Sequence, residues 1–569
     1  MTSIGNTKTL FFFTSPRTPI KMIDEIELLV NNFEGQNWNP KTQESYALTL
    51  KNSNFFEGKI KNNLSFAARD RINRAPKALG FVNLKPIELT NAGARLLSNK
   101  RINEIFIRQM MKFQLPSPYH TDNSGRFYVR PYLEILRLIY ELDGLTKHEL
   151  AIFGLQIIHI DYYELIKTEI QNFRLEKSKK FYTRKKEYIQ ESYIRAIEKI
   201  YADEINQKNF KTRETDNNDY RQFINTKRRN IIDYADAAIR YLKATELVSF
   251  DVNSLKLTIT HDKKDDVKFL LDNVPREPVY INNENEFKNH LFDANNIILY
   301  TDNKEETTKK IFELYKYLYK KLPKGFIKKV RNLHIEELKD LKDKLEQDKI
   351  DDVLNKQINS LKVTDDFNDI INVYDSIIQG EVADPPLIFE WNTWRALVIL
   401  DDGNINGNFK IDTDGSPLFS APPKYPDISC YYNEFNLIVE VTLSYGEKQY
   451  DMESEPVPRH LGDFSKSSDK ESFCLFIAKN VSEGTLAYFY GLNNIEISYY
   501  GGKSKIIPMD LNSFKAFLHH ANEKDNIESN QLHSYLKYLI EQTNSTENEI
   551  EWYKTIKNTV TNWTEVISN

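Results

Sequence analysis

The stretch Leu437-Ile438-Val439-Glu440-Val441-Thr442-Leu443 limits what this chain can become more than any other. A run of aliphatic and β-branched residues of that length is the pattern of a strand buried on both faces, which asks for a sheet covered by helices. One acid interrupts it. A carboxylate in such a strand is costly to bury unless a cation meets it, and a metal ion is the obvious candidate. Upstream, Pro426-Asp427 precedes a short strand-like segment, Ile428 to Tyr432, and Asn433-Glu434 offers a turn between the two. A hairpin of this kind sets Asp427 and Glu440 on adjacent strands, within reach of one ion. Taken alone, such a spacing arises often by chance: Asp427 is then a turn residue and Glu440 the partner of an arginine.

At 569 residues the chain is too long for one core, so about three domains are expected. Aromatic residues make up 12%, enough buried ring area to argue against disorder. Cys430 and Cys474 are too few for a disulfide framework or a structural zinc site. No apolar run reaches the roughly eighteen residues of a membrane helix. The patch Leu10 to Phe13 is too short for a signal peptide. The expectation is a cytoplasmic protein without a membrane partner. A net charge of -5 does not suggest a nucleic-acid binder, but local patches set the field at an interface. Three stretches are basic: Lys59, Lys61, Arg69, Arg71, Arg74 and Lys77 with only Asp70 among them; Arg174, Lys177, Lys179, Lys180, Arg184, Lys185 and Lys186; and Lys227-Arg228-Arg229. Each also fits a solvated helix face.

The expected fold is multidomain α+β. Residues 1–281 are mainly helical with winged helix-turn-helix elements, residues 282–384 form a helical linker, and residues 385–569 form an α/β domain. The first winged element is a helix over Phe66–Leu79, a turn at Gly80-Phe81-Val82, a strand at Ile87–Leu89, a glycine turn at Asn91-Ala92-Gly93 and a helix from Ala94. A similar cadence runs from Ile231 to Ile259. Between Tyr132 and Phe153 lies a helix pair in which Thr146 is placed to cap the second helix. The linker carries long charged helices at Glu305–Leu322 and Ile335–Leu361, and the last domain opens with an apolar helix over Leu387–Leu400. Winged helices also serve as protein-interaction modules.

Hydrolysis of a phosphodiester needs a hard cation to neutralise the phosphate and acidify a water. Mg2+ suits this, because it is held by one or two carboxylates while keeping several waters; Mn2+ is the expected substitute. Asp427, Glu440 and the main-chain carbonyl of Val441 make such a site. Glu453, and Glu390 from the opening helix, bring it to four carboxylates for one or two ions. The arrangement resembles the PD-(D/E)XK nuclease core, in which a lysine two residues after the strand Glu assists the water. Here that position is Thr442, which leaves Lys448, Gln449, His460 or a second ion at Glu453 to activate the water.

The run Val439-Glu440-Val441-Thr442-Leu443, then Gln449 to Glu453, Glu455-Pro456-Val457 and Arg459-His460-Leu461, is similar to the AlwI family of type IIS restriction endonucleases, which includes the PleI and MlyI group and nicking relatives. Phe13-Thr14-Ser15-Pro16-Arg17-Thr18-Pro19 with Lys21 resembles that family's opening motif, and the Phe473–Ala478 strand and Ile506-Ile507-Pro508 followed by a helix are in keeping with it. Its Glu-Val-Thr also lacks the lysine. The resemblance implies an N-terminal reader of a short asymmetric duplex site, a spacer, and a nuclease that cuts a few base pairs away. By residue match, Asp427, Glu440 and Val441 hold metal, and Glu390, Glu453 and His460 complete the catalytic set. Arg69, Arg71, Arg74 and Lys77, with Arg17 and Lys21, are the expected DNA contacts. The expected partners are double-stranded DNA and, for cutting both strands, a second protomer or a small nuclease subunit. Two other functions compete: a winged-helix DNA-binding regulator with an inactive C-terminal domain, and a nuclease for RNA or branched DNA.

Overall fold

The computed structural model of the chain describes residues 2–56, 60, 63–212, 214–363, 367–400, 403–524 and 527–566; Lys59 and Lys61 of the first basic stretch lie outside them. The fold is mixed α and β, in two compact units, Met1–Lys349 and Ile350–Asn569. Among the described residues no helix is long and apolar enough to cross a membrane.

The first unit begins with α1 (Met22–Phe33), α2 (Pro40–Lys51) and α3 (Leu64–Ile72), followed by the antiparallel hairpin of β1 (Val82–Leu84) and β2 (Ile87–Leu89), then α4 (Asn91–Leu97). The helix expected over Phe66–Leu79 is in fact two. Pro76 has no N–H to give to a helix running on from Leu64, so α3 ends at Ile72 and a separate turn covers Ala75–Ala78. The expected turn at Asn91-Ala92-Gly93 is instead the first turn of α4. Thr90 caps it, its hydroxyl accepting from the Gly93 amide at 3.0 Å. Gly93 is there because a Cβ would lie 2.1 Å from the Phe81 carbonyl oxygen.

Further along lie α5 (Pro131–Glu141), β3 (Leu145–Thr146), α6 (Lys147–Ile152), α7 (Tyr163–Ser178), α8 (Tyr182–Ile200) and α9 (Tyr220–Lys243), then β4 (Val248–Asp251) and β5 (Lys256–Ile259). Thr146 caps α6 as its sequence suggests, in a reciprocal box with Glu149. The helix pair and the second cadence, separate in sequence, share one antiparallel sheet of order β3–β5–β4, with Leu145 opposite Leu257 and Val248 opposite Ile259.

The unit closes on the start of α10 (Ile335–Val363), a helix whose first half is held by charge. Lys339 bridges Glu104 at 2.9 Å and Asp302 at 2.7 Å, Glu346 sits between Lys263 at 2.6 Å and Lys342 at 2.8 Å, and Arg101 pairs with Glu336, Asp340 and Asp343. Lys339 and Lys342 are almost wholly buried, so each pair offsets a desolvation cost that either partner alone would leave uncompensated.

The second unit is built on a five-stranded mixed sheet. Helix α11 (Pro385–Leu400) opens it; the strands are β6 (Asn404–Gly407), β7 (Ile428–Tyr431), β8 (Phe435–Thr442), β9 (Glu471–Ala478) and β10 (Ile506–Asp510), in spatial order β10–β9–β8–β7–β6. β6, β7 and β8 run antiparallel, whereas β8, β9 and β10 are parallel. The β8–β9 crossover carries α12 (Glu447–Glu453) and α13 (Pro456–Lys466), and the next carries α14 (Glu483–Asn494). Pro508 is tolerated in β10 because that strand is the sheet edge. α11 is apolar on every side and buried along nearly its whole length, packing on β8 and β6. On one face of the sheet Ile438, Cys474 and Phe476 pack against Val457 and Leu461 of α13 and Phe489 of α14. Both cysteines are buried and unbridged, as core residues.

Candidate active site

β7 and β8 form the hairpin expected from the sequence, turning at Tyr432–Glu434, with Ile428 opposite Val439. Asp427 immediately precedes β7 and so stands across from Glu440. Its Oδ2 accepts the Val441 amide at 2.8 Å, which fixes the carboxylate beside the end of β8. Glu440 is buried, and its Oε1 lies 2.7 Å from His460 Nδ1 on α13, a bond that holds whichever partner carries the proton. Glu390 enters from α11, also buried, and its Oε2 accepts the Ala421 amide at 3.3 Å. Glu453 ends α12 at the rim.

These acids sense each other. Burial pushes the carboxyls of Glu390, Asp427 and Glu440 well above the usual carboxylate range. Asp427 adds to the rise at Glu390, Glu440 adds to it at Asp427, and Glu453 and Glu390 add to it at Glu440. Among the described residues no ion pair joins Glu390 or Asp427 to a lysine or arginine; Glu440 pairs with His460, and the charge of nearby Arg459 partly offsets the rise at Glu440. Mutually repelling oxygens whose charge Arg459 offsets only in part fit a hard divalent cation. Among the described residues no three His, Cys, Asp or Glu side chains already converge tightly enough to hold an ion by themselves. Mg2+ does not require such a trio, because two carboxylates, one main-chain carbonyl and retained waters complete its shell.

The sequence gives no warning of the part taken by Gln449. It is fully buried, its Nε2 donating to the carbonyls of Ser444 and Asn480, both at 2.9 Å, and its Oε1 accepting the Ser482 amide at 2.7 Å. Both Nε2 hydrogens and the Oε1 thus tie the segment after β8 to the segment after β9. Lys448 is exposed on α12.

The residues expected to read DNA are scattered by the break after α3. Arg71 is ion-paired to Glu25 of α1 and lies 4.8 Å over the Phe56 ring. Arg74 pairs with Asp70 and donates to the Thr14 hydroxyl at 3.0 Å. Lys77 sits 4.4 Å over the Tyr119 ring, and burial lowers its pKa. Arg69, Lys21 and Arg17 are exposed, Arg17 lying 4.0 Å from Asp233.

A model of the AlwI restriction endonuclease family matches residues 77–517, a span that contains Glu390, Asp427, Glu440, Val441, Glu453 and His460. The small subunit of the heterodimeric restriction endonuclease R.BspD6I, known from its crystal structure, is similar to this chain at 27% identity, over 34% of this chain and 98% of that one, with a TM-score of 0.30. None of the curated proteins compared with it matches.

Proposed function

The chain belongs to the AlwI restriction endonuclease family, and from that premise we propose that it is a type IIS enzyme: it binds a short asymmetric duplex site and, with Mg2+ or Mn2+, hydrolyses phosphodiester bonds a few base pairs away. The observation that carries this reading is the set of buried carboxylates of Glu390, Asp427 and Glu440, raised by burial and by one another. Asp427, Glu440 and the Val441 carbonyl would hold the ion. When bound, the ion supplies charge neutralisation at the scissile phosphate and a more acidic water. His460 orients the Glu440 carboxylate, Glu453 and Glu390 border it, and Gln449 fixes the loops on either side. The mixed sheet, with Asp427 just before the first strand of its antiparallel hairpin, Glu440 on the second and parallel strands beside them, is in keeping with a PD-(D/E)XK-like core.

For recognition, the order helix, strand, helix, helix, hairpin in α5, β3, α6, α9, β4 and β5, with its β3–β5–β4 sheet, supports a winged helix-turn-helix. The α3, hairpin and α4 segment supports a second one, with Arg69 exposed on α3 and Arg17 and Lys21 exposed just before α1. On this reading residues 1–281 bind DNA, 282–384 connect, and 385–569 cut. One chain holds one such site and cuts one strand at a time; a second cut takes a second protomer, a small nuclease subunit or rebinding.

Supercoiled plasmid incubated with the protein and Mg2+ is expected to become nicked or linear, and Glu440→Ala to lose cutting while keeping duplex binding. Plasmid left supercoiled by the wild type would favour a DNA-binding regulator. Undiminished cutting by Glu440→Ala would remove the site assignment.

A further inference from the structure

The second basic stretch does not belong to the candidate active site, and its placement is specific. Residues 153–219 are inserted between α6 and α9, the two helices that flank the β3–β5–β4 sheet. α7 and α8 run back along each other, with Phe173 stacked on Tyr188 at 5.4 Å and Lys199 bonded to Glu169 at 2.8 Å. Their base is pinned. Arg174 grips both Glu149 oxygens, at 2.8 and 2.9 Å, and the carbonyls of Leu142 and Gly144. The Tyr193 hydroxyl meets His148 Nδ1 at 2.9 Å, and Arg228 of α9 lies 5.2 Å over the Tyr193 ring.

Beyond the Arg174 anchor the character changes. Between residues 174 and 186 there are seven cations and one acid. At the tip, Lys179 and Lys180 lead into Phe181, which is 82% exposed, and Arg184 follows in the first turn of α8. The Lys179 partner is the exposed Glu176, at 2.7 Å, a pair that water screens and a polyanion can displace. α8 packs on α9, where Arg221 and Arg229 are also exposed. A cluster of exposed cations at the end of a helix pair suits a row of phosphates, because each cation brought onto one releases condensed counterions. A bare phenyl ring has no business with phosphate, but it fits the sugar walls and base steps of a minor groove, where apolar wedges act.

We propose that the tip of the α7–α8 arm is a second contact to the bound duplex, with Lys179, Lys180 and Arg184 on phosphates and Phe181 in the minor groove. This rests on the reading of the chain as a duplex-DNA enzyme. The test uses the full chain with Ca2+ in place of Mg2+, titrating a labelled duplex by fluorescence anisotropy across a salt series. A triple Lys179→Ala, Lys180→Ala, Arg184→Ala variant should flatten the slope of log Kd against log salt by about 2 to 3, at ~0.9 per phosphate released. Phe181→Ala should keep the slope and weaken binding about fivefold or more at every salt. Should the triple variant melt early, the single Lys179→Ala carries the same test, with a slope change of about 1. Variants that bind with the wild-type slope and affinity overturn the arm while leaving duplex binding in place. A wild-type chain that binds no duplex overturns the nuclease reading itself, and the arm with it.

Discussion

Gly462 lies on α13, two residues after His460, where the helix crosses the backbone of Tyr500. A Cβ at this position would stand 2.6 Å from the Tyr500 carbonyl oxygen and 3.0 Å from its carbonyl carbon. Ordinary contact begins at 3.4 Å, so in Gly462→Ala the helix or the 498–500 turn must retreat by about 0.8 Å. The obstacle is main chain, so no side-chain rotation relieves it. A shift of that size carried along α13 would stretch the 2.7 Å bond between His460 and Glu440 to the limit of a hydrogen bond. Overpacking of this kind costs about 1–3 kcal/mol, and a displacement near 1 Å at a reacting group lowers rates by up to about 10²-fold. Urea unfolding reads the first effect and single-turnover plasmid cleavage the second, with duplex binding expected to stay at the wild-type level. In a His460→Ala background Gly462→Ala should cost little further activity, since both act through one bond. A Gly462→Ala enzyme that unfolds early yet cleaves at the wild-type rate would refute the claim that α13 sets Glu440 through His460.

Two further outcomes follow from buried polar groups. Gln449→Leu leaves the Ser444 and Asn480 carbonyls and the Ser482 amide without their partner, so it should cost about 2–4 kcal/mol in urea unfolding and lower cleavage more than DNA binding. At Glu346, burial alone would raise the carboxyl, but Lys263 and Lys342 outweigh it and hold its pKa far below the ordinary 4.5. A depressed acid lends stability that is present above its unfolded value and lost as pH falls towards its folded one. The wild type should therefore lose urea resistance below about pH 4.5, and Glu346→Gln should be weaker by about 3–5 kcal/mol at neutral pH with a flatter acid limb. A variant as stable as the wild type at pH 7 would show that the Lys263–Glu346–Lys342 cluster contributes nothing.

What could be read from the sequence was local or periodic. The aliphatic run around Glu440 and the turn residues after Tyr432 specified the β7–β8 hairpin, and the position of Asp427 then follows from register alone. Thr146 and Glu149 announced their cap three residues apart. Long-range partners left no comparable mark. Nothing near Gln449 points to Asn480 or Ser482, because its bonds go to main-chain atoms, which every residue carries alike. The break before Pro76 was legible, since a proline without an N–H cannot continue a helix, but the apolar periodicity of Phe66–Leu79 masks it. Gly93 reads locally as a turn, whereas a close approach to the Phe81 carbonyl places it inside a helix.

The strand Leu145–Thr146 waits for a partner made more than a hundred residues later, at Lys256–Leu257. Since the chain leaves this small sheet and returns to the same spot, whatever lies between can lengthen or shrink at little cost in closure entropy, which grows only with the logarithm of loop size. The place is thus a natural graft point, where relatives can trade reach and grip on their target while the scaffold that receives the insertion stays as it was.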